Sequence, residues 1–508
     1  MRRMKGIATV ISVIIVIVFF SGLASANAVH TFCPQFRYDT HHTGHSLQVG
    51  PSALDVALEV NIPPTGGFLK GFFGTPSMDA DANLYVGSMN TYFYSISPTG
   101  TIRWSFPTSG IVGTGGSPLI TPNGRVIFGN DNGDIYCTGL DGYFKWSYST
   151  GAGDGFAIFN GPSSSFDGNV YFGNYAGNLY SLRESDGSLN WSLPLTSASI
   201  YTSSVTIDDE LLLVGATDGK LYAVTKSGLP SWSYSVGGEL HATPVLTDAG
   251  LILFGSTNGA FTCVNREGEF RWSDAFPMPI SASAAYAGPD SIVVGDEGSN
   301  IRKFDSSGRT VWAGQLVGAI KASPLIDSDG KIYVYTEPGN IYIMRSDGIV
   351  LDWTTRDGYW KAGASPVIGP TGTLYICTAK DEAQVIGFRD QGGSGAPSLT
   401  GSVADDDLTV GESLKYSVTF LNPSRRLTVD FYVAVMLGDT LLFYPGWVTD
   451  WGYTRFTLDG GASGTGTLID MPIADSSLFG HYTFYSAAMV PGTLINFSET
   501  SAVGVTIH

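Results

Sequence analysis

The chain has 508 residues, of which 65 are glycine, 12% aromatic and only 14% charged. That length exceeds one ordinary core, and such a glycine and aromatic load excludes a helical protein in favour of an all-β fold in two domains. The formal net charge is −18 and no Lys or Arg run follows the first few residues, so the basic stripe needed to bind nucleic acid is absent.

Residues 1–26 carry Arg2, Arg3 and Lys5, an apolar run from Ile7 to Phe20, and small residues at Ala24 and Ala26. This reads as a secretory signal peptide, which places the mature chain outside the cytoplasm, either secreted or periplasmic. The apolar run is shorter than the roughly 20 residues a spanning helix needs, so no stable membrane span is expected after cleavage; retention as an anchor is the alternative. Cys33 follows Val29-His30-Thr31-Phe32 rather than a box of small residues, which disfavours a lipid anchor.

Residues 27–53 form an N-terminal arm containing Phe36 to Ser46, FRYDTHHTGHS. His41, His42 and His45 are its densest cluster. On a helix His41 and His45 would share a face as a metal pair. The simpler reading is that the polar arm is pinned by hydrogen bonds, and no metal is expected. A strand-like segment follows, up to Ile62.

One unit then recurs: short apolar strand, Gly-Asn or Gly-Asp turn, second strand, an Asp-Gly type turn, and a strand holding a Trp. Trp104, Trp146, Trp191, Trp232, Trp272, Trp312 and Trp353 keep the beat, 40 to 45 residues apart. A Ser/Thr-Pro-like pair opens each unit, with Pro76, Pro118, Pro162, Ser204, Pro244, Ala284, Pro324 and Pro366 in equivalent places. Eight such units predict an eight-bladed β-propeller over residues 54–391. The eighth unit has no Trp strand. Residues 54–62 are expected to supply it, with Val60 in the Trp place, and so to close the ring and remove its open edges. The Trp side chains are expected to be structural wedges between blades.

Units of the form SPxxxxDGxxYxGxxDGxLYxLxxxGxxxW resemble the PQQ-like β-propeller repeat family, over about residues 31–391, and the FRYDTHHTGHS lead-in is similar to the arm of many secreted members. The resemblance implies a fold shared by quinone-dependent dehydrogenases, assembly factors and other exported proteins, so the fold alone does not choose among them. Members that use the quinone carry a vicinal Cys-Cys ring, a Trp floor, an Asp base and a Ca²⁺ site. No Cys-Cys pair occurs here, and no cofactor is expected. Asp79-Ala-Asp81-Ala-Asn83 and Asp327-Ser-Asp329-Gly330 imitate the start of a Ca²⁺ loop without its final Glu, and read as hairpin turns.

Residues 392–398 read as a flexible linker and 399–508 as an immunoglobulin-like β-sandwich of six or seven strands. Its aromatic run, Tyr444 to Tyr453 with Trp447 and Trp451, is either a stacking platform or packing on the sheet face. The four cysteines contain no C-x-x-C pair. Cys137 and Cys263 repeat in blades that are not neighbours and read as buried thiols. Cys33 and Cys377 would form a disulfide only if the arm lies on the last blade.

No hydrolase, zinc-protease or phosphate-loop motif occurs. The expected function is a non-enzymatic binding or assembly scaffold with a protein or carbohydrate partner. The alternative is an enzyme with a site at the channel mouth, a degenerate quinoprotein dehydrogenase or a polysaccharide-active propeller. In either case the site is expected where the innermost strands begin, two places before each Ser/Thr-Pro pair: Phe73, Gly115, Phe159, Tyr201, His241, Ser281, Lys321 and Gly363. These positions vary on a fixed scaffold, and Tyr201, His241 and Lys321 suit an anionic or carbohydrate-like ligand.

Overall fold

Period-2 apolar patterns bounded by turn glycines fold as short antiparallel strands, each too narrow to bury its faces alone. The computed structural model describes residues 31–390 apart from 53, 63–73, 112–115, 152–156, 166, 338, 349, 356–363 and 380–382, and the backbone of strands between 398 and 507. The leader, most of the expected linker and the aromatics Trp447, Trp451 and Tyr453 lie outside the described residues. The chain divides into two compact units, one of residues 27–393 and one that contains 394–508. No helix among the described residues is long and apolar enough to cross a membrane.

The first unit is an eight-bladed β-propeller. Blade 5 shows the pattern: Val245–Leu246 innermost, then Ile252–Gly255, Ala260–Val264 and the outer Phe270–Ala275, all antiparallel. Blade 3 has three strands, and a bridge between Ser163 and Tyr171 stands in for its innermost one. The apolar cores lie between blades, as where Leu213, Leu221, Leu240 and Phe254 join blades 4 and 5. Burying these faces against one another is what holds the ring together.

Blade 8 consists of Val367–Ile368, Leu374–Ala379, Ala383–Phe388 and, from the other end of the chain, Val56–Ile62. Val60 pairs with Val385 and Leu58 with Gly387. Register with the other blades corrects one expectation: Trp146 opposes Cys137 and Ile127, and the corresponding path in blade 8 runs through Tyr375 and Gly387 to Leu58. Leu58, not Val60, holds the Trp place.

Six of the seven repeat tryptophans bridge seams. Trp104, Trp146, Trp191, Trp232, Trp272 and Trp312 each donate the indole N–H to a carbonyl of the next blade, those of Leu140, Glu184, Lys226, Arg266, Ser306 and Ser346, at 2.8–3.0 Å. Each ring lies against the next blade's turn glycine. A Cβ on Gly142, Gly187, Gly228, Gly268, Gly308 or Gly348 would approach the indole to 2.5–2.9 Å, and these glycines have φ between 71° and 90°. The turn therefore requires glycine twice, for its backbone and for the approach of the ring.

Trp353 departs from the set. One extra residue precedes it in its strand, so it pairs with Tyr342 while Asp352 takes the place opposite Ile343, and its ring is 57% exposed. Trp146, by contrast, is 6% exposed. Trp146→Ala is expected to cost about 3 to 5 kcal/mol and Trp353→Ala about 1 kcal/mol or less, read by urea denaturation. Equal losses would put Trp353 back in a seam.

The arm crosses the axial channel and meets the innermost strand of every blade. Thr31–Cys33 pairs with Ser77–Asp79 of blade 1. Arm acceptors then take one backbone N–H from each of the others: Pro34 O from Ile120, Gln35 Oε1 from Ser164, Thr40 O from Ile207, His41 O from Leu246, Thr43 O from Tyr286, Gly44 O from Ile326 and the Tyr38 hydroxyl from Ile368. Buried inner-strand N–H groups need such partners, and the arm supplies them where no further strand could fit. Arg37, 3% exposed, is the hub. It donates Nε to His42 O at 2.9 Å and its Nη atoms to the carbonyls of Thr43, Ser283 and Ala284.

The arm is not helical, so His41 and His45 do not share a helix face. Fully buried His42 faces the carbonyls of Phe36 at 2.7 Å and Val205 at 3.0 Å. Asp79 and Asp327 cap their turns, accepting from Asn83 N and Lys331 N at 2.8 Å each. The four cysteines are free and buried. Cys33 lies in the blade 1 sheet and Cys377 in blade 8, and both are free thiols, so the possible disulfide between them is not formed. Burial pushes the Cys137 and Cys263 thiols up to about 12, which makes them unreactive at neutral pH.

In the second unit, Ser398–Val403, Ser413–Leu421 and Ser463–Pro472 form one antiparallel sheet. The other sheet is built around Leu427–Leu437, Gly480–Met489 and Ser501–Ile507, with Asp407–Leu408 parallel to the last of these.

Candidate functional site

The channel is crossed by the arm towards one end, and the candidate site lies at the other, where the loop from each outer strand enters the next blade. That loop is fixed by a buried aliphatic residue. Ile158, Ile200, Leu240, Ile280 and Ile320 donate their N–H to carbonyls of the preceding blade's turn, Asn130, Asn174, Ala216, Ser256 and Asp296, at 2.9–3.2 Å. The next residues are Phe159, Tyr201, His241, Ser281 and Lys321, four of which were singled out as ligand-binding from sequence. Phe73, Gly115 and Gly363 lie outside the described residues.

Just beyond them runs a belt of hydroxyls, which gives the Ser/Thr-Pro marker its physical meaning. Gly161 N donates to Ser204 Oγ, Ser204 N to Thr243 Oγ1, Thr243 N to Ser283 Oγ, Ser283 N to Ser323 Oγ, Ser323 N to Ser365 Oγ and Ser365 N to Thr75 Oγ1, at 2.8–3.1 Å. In blade 4 the belt residue is Ser204, so Val205 and not Ser204 occupies the Pro place. An extra residue after Ile200 leaves Tyr201 in the ring and adds Thr202, whose hydroxyl donates to His241 O at 2.8 Å.

Around the mouth the side chains fall into two arcs. Over blades 3 to 5 the rings of Phe159, Tyr175, Tyr201 and His241 meet edge to face, with centroids 5.2 Å apart for Phe159 and Tyr201 and 5.4 Å for Tyr201 and His241. Over blades 5 to 7 the lining is charged. His241 Nε2 donates to Glu239 Oε2 at 2.7 Å, Lys321 Nζ lies 3.0 Å from Glu337 and 3.8 Å from Glu297, and the Ser281 hydroxyl donates to Glu297. Partial burial works against the Lys321 ammonium, but Glu337 and Glu297 outweigh it and hold its pKa above the ordinary lysine value. Glu337 Oε1 is buried and accepts no hydrogen bond from the described residues.

Tyr175, Glu297 and Glu337 were not anticipated from sequence, nor was Glu239. The first three hold one equivalent place in the turn between the second and third strands of their blades, after Gly173-Asn174, Gly295-Asp296 and Tyr335-Thr336, and their N–H groups bond Ala157 O, Pro279 O and Ala319 O, which brings the turns to the mouth. They carry the same signal of variation on a repeated scaffold, in a turn distinct from the register that follows the Ser/Thr-Pro pair.

Eight blades around an axis crossed by the arm, with a charged and aromatic mouth, define an eight-bladed β-propeller. The chain belongs to the PQQ-like repeat family described as outer membrane protein assembly factor BamB, whose profile matches residues 64–206 and 197–396. No curated protein matches the sequence significantly. Among solved structures, BamB from Moraxella catarrhalis is similar at 16% identity and a TM-score of 0.54, over 66% of this chain and 100% of that one. The quinohemoprotein alcohol dehydrogenase from Comamonas testosteroni is similar at 13% identity and a TM-score of 0.59, over 75% of this chain and 83% of that one. The computationally designed Ika8 protein is similar at 13% identity and a TM-score of 0.54, over 65% and 99%. At these identities the likeness is one of fold.

The residues at the described mouth do not fit the quinone. A flat cofactor bearing carboxylates needs an open stacking floor and cations, whereas here the rings abut one another edge to face and the Lys321 ammonium is held by two glutamates.

Proposed function

We propose that this protein is an exported, non-enzymatic binding or assembly scaffold that holds its partner at the propeller mouth lined by Phe159, Tyr201, His241 and Lys321. The observation that carries the reading is the pairing of an aromatic wall with a carboxylate-rich arc on a frame of repeated backbone hydrogen bonds. A rigid frame with variable side chains is how a binding site is built without catalytic machinery. The family's description as an assembly factor supports a scaffold role, and together with the leader it supports a place in the periplasm or at the outer membrane. We read the two C-terminal sheets as the layers of an immunoglobulin-like sandwich that serves as a second binding module.

The charges refine the expected ligand. Among the described residues of the mouth Glu239, Glu297 and Glu337 outnumber Lys321, so an anion would enter against their field. A neutral or cationic partner fits.

Replacing Tyr201, His241 and Lys321 together by Ala tests the site, with binding measured against a glycan array and envelope extracts. The expected result is loss of the interactions that wild type makes, with an unchanged melting transition. Survival of every interaction in a folded triple variant would move the function to the blade sides or the C-terminal unit.

A further inference from the structure

We propose that the mouth receives a basic polypeptide segment of a partner protein, an arginine or lysine head entering beside Lys321 while its stem lies on the aromatic wall. The proposal rests on the reading of the mouth as the binding site and names its ligand chemistry.

Charge complementarity carries the argument. The whole chain has a formal net charge of −18, which draws cations from a distance, and the mouth concentrates the same sign. The arrangement around Lys321 shows the chemistry this pocket accommodates: an ammonium 3.0 Å from Glu337 and 3.8 Å from Glu297, and held charged by them. The Glu337 side chain remains 22% exposed beside that ammonium, and among the described residues its buried Oε1 takes no donor. Glu239 is half exposed beside His241 and gives a third carboxylate, two blades from Lys321 around the same mouth.

The aromatic arc supplies the second component. Phe159, Tyr201 and Tyr175 pack edge to face, and Tyr175 is 43% exposed. A guanidinium, far smaller than a multi-ring cofactor, needs only the exposed part of one ring such as Tyr175 for cation–π attraction, and the methylenes of an arginine or lysine stem cover apolar surface that water would otherwise wet. An acidic segment meets repulsion from all three glutamates. A neutral sugar would use the rings but leave the ionised carboxylates with weaker hydroxyl donors than a guanidinium offers.

The channel is crossed by the arm beyond the hydroxyl belt, so the segment enters from one side and ends there. A loop tip or chain end therefore suits the site better than a threaded strand.

The test is fluorescence polarisation on the full chain with three labelled probes: an octapeptide of alternating glycine and arginine, its glutamate counterpart, and chitohexaose. The arginine peptide is expected to bind, and the glutamate peptide not to. Glu239→Gln, Glu297→Gln and Glu337→Gln combined should weaken arginine-peptide binding about tenfold or more, and Tyr201→Ala alone about fivefold. A control with equal charge loss on the opposite turns, Asp141→Asn, Asp186→Asn and Glu267→Gln, should change it less than about twofold. If the glutamine triple does not fold, Tyr201→Ala against that control decides. Equal losses in both triples would reduce the effect to a diffuse field and overturn the inference. Chitohexaose binding that depends on Tyr201, with no arginine-peptide binding, would overturn the peptide but keep the mouth. No dependence of any probe on a mouth residue would remove both.

Discussion

A chain that begins at residue 63, lacking both the arm and the closing strand, is expected to lose its cooperative transition and aggregate. The strand Val56–Ile62 covers Ala383–Phe388, whose Val385, Ile386 and Phe388 are at most 1% exposed. Without it the edge of blade 8 stands open, a ready template for pairing with other chains. Blade 1 also loses its neighbour, since Leu58 and Val60 fill the space against Gly100 that a Trp ring fills elsewhere. Adding a synthetic peptide of residues 31–62 should restore monomer and melting transition together. A truncated chain that stays monomeric and melts as wild type would mean that the ring closes by other contacts.

The second large effect is expected at Arg37. Its guanidinium joins the carbonyls of His42, Thr43, Ser283 and Ala284 in the channel, and burial pulls its pKa down to about 9, with nearby Asp39 opposing the shift. It therefore remains charged at neutral pH, and the carbonyls satisfy that charge. Arg37→Ala strands several buried acceptors, each worth about 1 to 3 kcal/mol when left unpaired, so a loss of about 3 to 5 kcal/mol is expected by urea denaturation. Arg37→Lys should recover little, because an ammonium cannot span four carbonyls as the planar fork does. The pH dependence has a definite sign. With the folded pKa below the unfolded one, this group's contribution to stability rises with pH from about 9 up to the ordinary arginine range. A wild-type-like Arg37→Ala variant would show that the arm is held by its backbone bonds alone.

The propeller was legible because its signals are local and repeated: the Trp beat, the turn glycines and the apolar alternation all report one blade. Ring closure was legible by subtraction, since one unit lacked a strand and one strand lacked a unit. The residue in the Trp place was missed because the central hairpin of blade 8 runs two pairs further than in blade 2, through Thr378 with Gln384 and Ala379 with Ala383. Counting from Trp104 then lands on Val60 instead of Leu58. Trp353 misled for a similar reason, since one added residue in a strand turns a side chain to the other face.

The channel plug left a fainter trace. Most of its bonds use backbone carbonyls, which no sequence pattern reports, and Arg37, Tyr38 and His42 take φ values of 59°, 77° and 54° that their side chains do not advertise. The mouth was legible in half: Phe159, Tyr201, His241 and Lys321 follow the counted register. The carboxylates on which the proposal of a cationic ligand rests come from other turns and loops and could be placed beside it only in three dimensions.

One N-terminal segment both closes the ring and crosses its axis. Amide hydrogen exchange on the intact protein tests it most directly. The N–H groups of Ile120, Ile207, Leu246, Tyr286, Ile326 and Ile368 should exchange only through global opening, because each is bonded to the arm. Exchange of these amides at the rate of the outer turns, in a protein whose outer blade strands stay protected, would contradict a channel occupied by the arm.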